Sequence, residues 1–361
     1  MMTNKKTYPL IFDGHNDTLL ALYELERGEG GSFFESSEIG HLDLPRAREG
    51  GFGGGFFAIF VPAPKKKKKK DEDSRSEPKK PYLLEQPQVK KAYAQKVTSG
   101  IMDLLFQIEE ESKGQFKVIR TPAELETCLN DGILAAILHF EGAEVIEPDL
   151  SNLEQYYDQG LRSLGLTWSR TNAFAHGVPF GFPHSPDTGP GLTEKGRKLV
   201  LACNQLGIMI DLSHLNESGF WDVARLSNAP LVATHSAAYS LCPSSRNLTN
   251  EQLVTIAESD GIVGINFHKG FLREDGDFKA ETSLVEIARH IDYVAEIIGI
   301  DHVALGSDFD GAKMPEDLGD AAGLPKLMAV LSAGGYDEQA MRKIAHENWQ
   351  RVLNNTWKDS N

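Results

Sequence analysis

The sequence predicts an α/β fold, a TIM-type (β/α)8 barrel. Short apolar runs alternate with helical patterns, and about eight such runs can be counted. That is the number of strands that closes a parallel barrel. Several of these runs end in His, Asp or Glu, which is where barrel enzymes gather their sites. The chain of 361 residues, 40% of them hydrophobic, can bury one large barrel or two ordinary domains. An open doubly wound sheet is the weaker alternative. No GxGxxG or P-loop follows an early strand, and the glycines around Gly53 lack a following helix start. One barrel domain is expected over residues 1–361, carrying a charged insertion at about 62–81.

The first run, Leu10-Ile11-Phe12-Asp13-Gly14-His15-Asn16-Asp17, sets the pattern. Side chains alternate along a strand, so His15 and Asp17 share a face and offer half of a first-row metal site. Residues 18–27 suggest a short helix stopped by glycines. Residues 50–60 form a glycine-rich second strand, where glycine marks close backbone approach or a bend. Residues 62–81 carry the run Lys65 to Lys70 and then mixed charge and proline. This stretch has no apolar anchor and is expected to be a solvated insertion rather than an anion-binding patch.

Residues 86–113 have apolar positions near a 3.6 period, and Thr121-Pro122-Ala123-Glu124 starts a helix. Residues 132–141 are a near-continuous apolar run ending at Glu141, the pattern of a buried parallel strand. Strands are then expected at 161–168, 208–214, 230–235, 261–267 and 302–308. The helices between and after them are placed at 150–159, 192–206, 216–226, 249–258, 282–298, 324–331 and 337–353.

Lys and Arg total 37 against 52 Asp and Glu, a net charge of −15, which argues against nucleic acid as a main partner. Cys128, Cys203 and Cys242 are scattered and unpaired by spacing, so neither a disulfide framework nor a Cys-type zinc site is expected, and a reducing compartment fits. The N-terminus lacks an apolar signal core, and no apolar run approaches the roughly 18 residues that span a bilayer. The expectation is a cytoplasmic protein without a membrane partner, with a homodimer as the assembly to test.

The strand ends collect His15, Asp17, Glu141, His214, His235 and Asp308. A catalytic zinc takes about three protein ligands plus water, so this set suffices for two ions if one carboxylate bridges them. Such ions lie roughly 3.5–4 Å apart with a hydroxide between them, the chemistry of hydrolysis or deamination. Imidazoles favour zinc over magnesium. His139 is expected to be a hydrogen-bonded core residue one layer deeper than Glu141. His176, His184 and His268 fall in candidate site loops, whereas His41, His290, His302 and His346 are expected to be structural.

With these residues in place the chain resembles the membrane (renal) dipeptidase family, peptidase family M19, in its bacterial form. The resemblance rests on Asp13-Gly14-His15-Asn16-Asp17, Phe140-Glu141-Gly142, Asp211-Leu212-Ser213-His214, Thr234-His235-Ser236, Arg246-Asn247-Leu248 and Gly306-Ser307-Asp308-Phe309-Asp310-Gly311. The glycine-rich second strand and the tail Glu347-Asn348-Trp349-Gln350-Arg351-Val352 fit as well, so that only the lysine insertion stands outside it.

The resemblance implies a distorted TIM (β/α)8 barrel of the metal-dependent hydrolase type, with a binuclear zinc site that hydrolyses dipeptides. His15 and Asp17 would bind one zinc, Glu141 would bridge, and His214 and His235 would bind the other. Arg246 would clamp the substrate carboxylate. Asp308 would carry the proton during amide cleavage. Two positions depart from the family pattern. Trp168 stands after Leu166-Thr167, where the best-studied members have a His that stabilises the tetrahedral intermediate, and so enters the substrate site instead. Ala175-His176-Gly177 replaces a usual Ala-Asp-Gly, which makes His176 a candidate to supply the missing imidazole. Two other classes remain: another binuclear hydrolase of this barrel type acting on a cyclic amide, lactone or amino-purine, and an inactive metal-holding binding protein.

Overall fold

The computed structural model describes residues 8–23, 31–64 and 79–358. Eight strands build the ring: β1 (Ile11–Asn16), β2 (Phe52–Phe60), β3 (Leu134–Glu141), β4 (Leu161–Gly165), β5 (Met209–Asp211), β6 (Val232–Ser236), β7 (Ile262–Ile265) and β8 (Val303–Leu305). They pair in chain order, every pair parallel. This is the nearly closed eight-stranded α/β barrel expected from the alternation of patterns.

The distortion sits at the seam between β8 and β1. A single bridge, Asn16 to Phe309, stands in for a ladder there. The Asp308 amide donates to the His15 carbonyl at 2.9 Å and the Asp17 amide to the Phe309 carbonyl at 2.8 Å. The Asp13 carboxylate completes the seam, accepting from the Ser307 amide at 2.6 Å and the Ser307 hydroxyl at 2.7 Å. The barrel is therefore closed by side chains as much as by strand pairing.

Phe12, Phe56, Ile137, Met209, Val232 and Ile262 fill the interior below the mouth. The C-terminal helix Asn348–Thr356 adds Trp349 and Val352 to this cluster. Trp349 is fully buried and donates to the Leu305 carbonyl at 3.3 Å. It also explains Gly14, where a Cβ would collide with the Thr234 carbonyl and the Trp349 ring.

The helices begin and end where local chemistry dictates. Thr121 with Glu124, and Thr249 with Gln252, form capping boxes, and Gly132 and Gly207 stop their helices in the left-handed conformation. The long helix expected from residue 86 starts only at Lys91. Pro87 disfavours a helical conformation for the residue before it, and Tyr82–Leu84 pairs with Phe180–Phe182 as an antiparallel ribbon.

Four strands stop short of their expected ends, at Gly165, Asp211, Ile265 and Leu305. The backbone beyond them leaves the ladder for loop partners; the His214 carbonyl, for example, accepts from the Val178 amide at 2.8 Å. The helix expected over 18–27 is described as Thr18–Tyr23, with the rest, like Lys65 to Lys70, outside the described residues. Among the described residues no helix is long and apolar enough to cross a membrane.

Candidate metal centre and substrate cavity

The C-terminal ends of β1, β3, β5 and β6 converge on one carboxylate oxygen, Oε1 of Glu141. His214 Nε2 lies 2.9 Å from it, and His15 Nε2 and His235 Nε2 each lie 3.7 Å away. The His214 and His235 Nε2 atoms are 2.9 Å apart. Asp17 Oδ2 is 3.6 Å from His15 Nε2. Two triads, His15 with Glu141 and His235, and His15 with Asp17 and Asp308, hold their ligand atoms within 4.8 Å of one another. Alternation along β1 thus brings His15 and Asp17 to one face even though the β1–β2 register is irregular.

Two of the imidazoles, His214 and His235, are oriented from behind. His214 Nδ1 meets the Ser169 hydroxyl at 2.8 Å. His235 Nδ1 meets the Thr234 hydroxyl at 2.8 Å, and that hydroxyl donates to Asp211 Oδ2 at 2.7 Å. Having spent its proton on Asp211, the Thr234 oxygen accepts from His235 Nδ1–H, which leaves the His235 Nε2 lone pair facing the centre. His139 lies deeper, fully buried, with Nδ1 at 2.8 Å from the Ser163 hydroxyl and its ring edge-on to His15.

Burial and the neighbouring charges set the protonation of the centre. Burial, then the cationic neighbours Arg246 and His15, hold His214 and His235 well below the usual imidazole range and therefore neutral. Burial alone would lower His15, but Glu141 and Asp17 outweigh it and lift it to about 10. Burial, reinforced by Asp17, pushes Glu141 well above the ordinary carboxylate range, and Asp308 is raised to about 6 for the same two reasons. His15 Nδ1 and Nε2 and Asp17 Oδ1 are buried without a hydrogen-bond partner. Buried polar atoms are costly when left unmatched. Imidazole and carboxylate donors converging in this way fit a first-row divalent ion.

Asp308 stands beside this centre in a left-handed backbone conformation, φ 61°. Asn266 Nδ2 donates to its Oδ2 at 2.9 Å. Arg246 closes another side, 3% exposed, its Nη2 donating to the His235 carbonyl at 3.3 Å and lying 3.2 Å from His214 Nε2. Its Nε and Nη1 have no partner in the protein. The loop that carries it is pinned by Asn247 Nδ2, which donates to the Cys242 and Phe271 carbonyls at 2.9 and 2.8 Å.

A cavity of about 250 Å³ opens onto these groups. Asp17, Glu141, His214, Arg246 and Asp308 form its polar half, and Phe60, Trp168, Phe180 and Phe271 its aromatic half. Trp168 lies 4.9 Å from Phe60 and 5.5 Å from Phe180, centroid to centroid. His268, from the site-loop group, also lines the cavity, whereas His184 bonds the Ser185 carbonyl.

His176 corrects the expectation that it replaces the missing imidazole. It lines a separate recess of about 220 Å³ with Ser169, Arg170 and Thr171. The bridge Gly177 to Leu215 and the Val178 amide bond to the His214 carbonyl pin the loop beside it, and His176 Nδ1 meets the Thr171 hydroxyl at 3.3 Å. Sequence reasoning also missed Phe180, Phe271, Asn266 and the orienting hydroxyls of Ser169 and Thr234. The Thr234 hydroxyl was findable as the polar neighbour of a strand-end histidine, whereas Ser169 lies 45 positions from His214 and was not. Nothing in the sequence marks the two loop phenylalanines.

Residues 5–361 match the membrane dipeptidase family, peptidase family M19. A solved metallopeptidase from Rhodobacter sphaeroides, bound to a phosphinate mimic of the dipeptide L-Ala-D-Ala, is 50% identical, with a TM-score of 0.91 over 97% of this chain and 100% of that one. A second solved structure, dipeptidase AC of family M19, is 50% identical with a TM-score of 0.88, covering 97% of this chain and 99% of that one. An uncharacterised protein from the pqqA 5′ region of Klebsiella pneumoniae is 48% identical over 70% of this chain and 94% of its own length. Matched along nearly its whole length and carrying these donors at the barrel mouth, the chain is a metallopeptidase of the membrane dipeptidase family, peptidase family M19.

Proposed function

We propose that the chain hydrolyses the amide bond of small dipeptides with two zinc ions, held by His15 and Asp17 on one side, His214 and His235 on the other, and Glu141 between them. The observation that carries this is the position of Glu141 Oε1, within 2.9–3.7 Å of the Nε2 atoms of His15, His214 and His235. When bound, the zinc pair supplies Lewis acidity that polarises the scissile carbonyl and lowers the pKa of the attacking water.

The protein's own groups account for the rest. Arg246, buried beside the centre with two unmatched donors, receives the C-terminal carboxylate of the substrate as a fork. Asp308, aimed by Asn266, takes the proton released on attack and delivers it to the leaving amine nitrogen, whose departure as an anion is prohibitive. The aromatic half keeps bulk water from the reacting bond and bounds the side chains. A cavity of about 250 Å³ has room for a dipeptide and little more. The Rhodobacter protein's dipeptide mimic supports the same substrate class.

The test is a panel of L-Ala-L-Ala, L-Ala-D-Ala, their C-terminal amides and a tripeptide, offered to zinc-loaded and chelated protein. Free dipeptides should turn over only with metal, and the amides and tripeptide poorly. Equal turnover of free acids and amides would remove Arg246 from its role.

A further inference from the structure

We propose that the buried ion pair between Arg170 and Glu144 is a positioning device that sets the aromatic half of the cavity against Glu141 and so determines which dipeptide side chains are accepted. It rests on the cavity being the dipeptide site proposed above.

The pair ties together three successive strand ends. Arg170 Nε donates to Glu144 Oε1 at 2.7 Å, and Arg170 Nη2 donates to the Val61 carbonyl at 2.7 Å. Val61 follows β2, Glu144 follows β3 by three residues, and Arg170 lies in the loop after β4. Both side chains are nearly inaccessible, 1% exposed for Arg170 and 4% for Glu144.

Arg170 lies behind the aromatic wall. Its guanidinium carbon is 5.3 Å from the ring centroids of both Phe60 and Trp168, two residues that line the cavity. Arg170 itself lines the neighbouring recess with His176. It therefore acts through Trp168 and Phe60 and not by touching substrate. A planar guanidinium can stack on two rings while donating in two other directions, which an ammonium cannot do.

Glu144 braces the other end. Its Oε2 is buried and makes no hydrogen bond. Gly142, directly after Glu141, has φ 101°, and a Cβ there would run into Glu144 Oε2 and crowd the Trp168 amide. Glu144 is thus packed beneath the turn that aims Glu141. A buried ion pair of this kind adds little stability over apolar residues of similar volume. What its geometry supplies is a fixed spacing between the Glu141 turn and the Trp168–Phe60 wall.

The experiment compares the parent with Arg170→Lys, Arg170→Met and the neutral pair Glu144→Gln/Arg170→Met. kcat and KM are measured for Ala-Ala dipeptides and for dipeptides with Phe at either position, alongside zinc content and melting temperature. Arg170→Lys keeps the charge pair and loses the two-ring stack. It should melt near the parent and hold the same zinc. Its preference between small and bulky side chains should shift by about tenfold, the range a modest change in pocket fit produces. Arg170→Met and the neutral pair should shift the same preference, mainly through KM. If folded variants keep the parental ratio within about twofold, or lose all substrates equally in step with melting temperature, the pair is structural only and the proposal falls. A parent that cleaves no dipeptide would overturn the underlying function instead, and the two failures are distinct.

Discussion

The two halves of the cavity are built by different means. The polar half stays close to the strand ends: Glu141 closes β3, Asp17 lies one residue past β1, His214 and Asp308 lie three residues past β5 and β8 respectively, and only Arg246 comes in on a longer loop. The aromatic half is assembled from the last residue of β2, the loop after β4, the Tyr82–Leu84/Phe180–Phe182 ribbon and the short helix Lys269–Leu272. The first half inherits its geometry from strand pairing. The second depends on loops clamped to one another. On the function proposed above, reaction chemistry would follow the strand ends, and the choice of substrate side chains would follow the loops.

The largest effect should come from the centre of the polar half. Glu141→Gln keeps shape and removes charge from the atom on which three imidazoles converge, so dipeptide turnover should fall to background. Retained turnover above a hundredth of the parent's, on a scale where one acid–base group is worth about 10²–10⁴, would mean the imidazoles are organised without Glu141.

Asp308→Asn should lower kcat by about 10²–10⁴ while changing KM little and leaving zinc content near that of the parent. Loss of a zinc ion in this variant would place Asp308 among the ligands, as its grouping with His15 and Asp17 allows. The next proton carrier to test would then have to come from the cavity, which His176 does not line.

Arg246→Met should raise KM for free dipeptides by roughly a hundredfold, the worth of charge-assisted hydrogen bonds to one carboxylate. The C-terminal amides should be affected far less. A uniform loss on both would show Arg246 acting through His214, which its Nη2 approaches at 3.2 Å.

Thr234→Val removes the hydroxyl between Asp211 and His235 Nδ1. Zinc affinity, measured by competition with a chelator, should drop by about 10- to 100-fold with the fold intact. An unchanged affinity would mean that packing alone orients His235.

How much of this was legible in the sequence follows the same division. β1, β3, β6 and their terminal His15, Glu141 and His235 could be read because apolar runs and strand alternation are local properties. The eight-strand count could be read for the same reason. The barrel's closure through Asp13 and Ser307 could not, because it is a contact between residues nearly three hundred positions apart. The ribbon could not be read because its strands, Tyr82–Leu84 and Phe180–Phe182, are three residues each and nearly a hundred positions apart. Trp168 stood out as a departure from a family pattern. Its partners Phe60 and Phe180, and Arg170 behind it, are brought together only by the folded loops. His176 misled because an imidazole standing where the family has an Asp was taken as a substitute for the missing one, whereas the loop pinned at Val178 leaves it lining a separate recess.

The central claim is that Glu141 joins two zinc ions, and elemental analysis tests it most directly. Parent protein and Glu141→Gln, purified in parallel and dialysed against the same zinc-free buffer, are compared for bound zinc per chain. The parent should hold about two ions and the variant far less, since removing the shared carboxylate weakens both positions. A parent that saturates at one ion, or a variant that still holds two tightly, would contradict it.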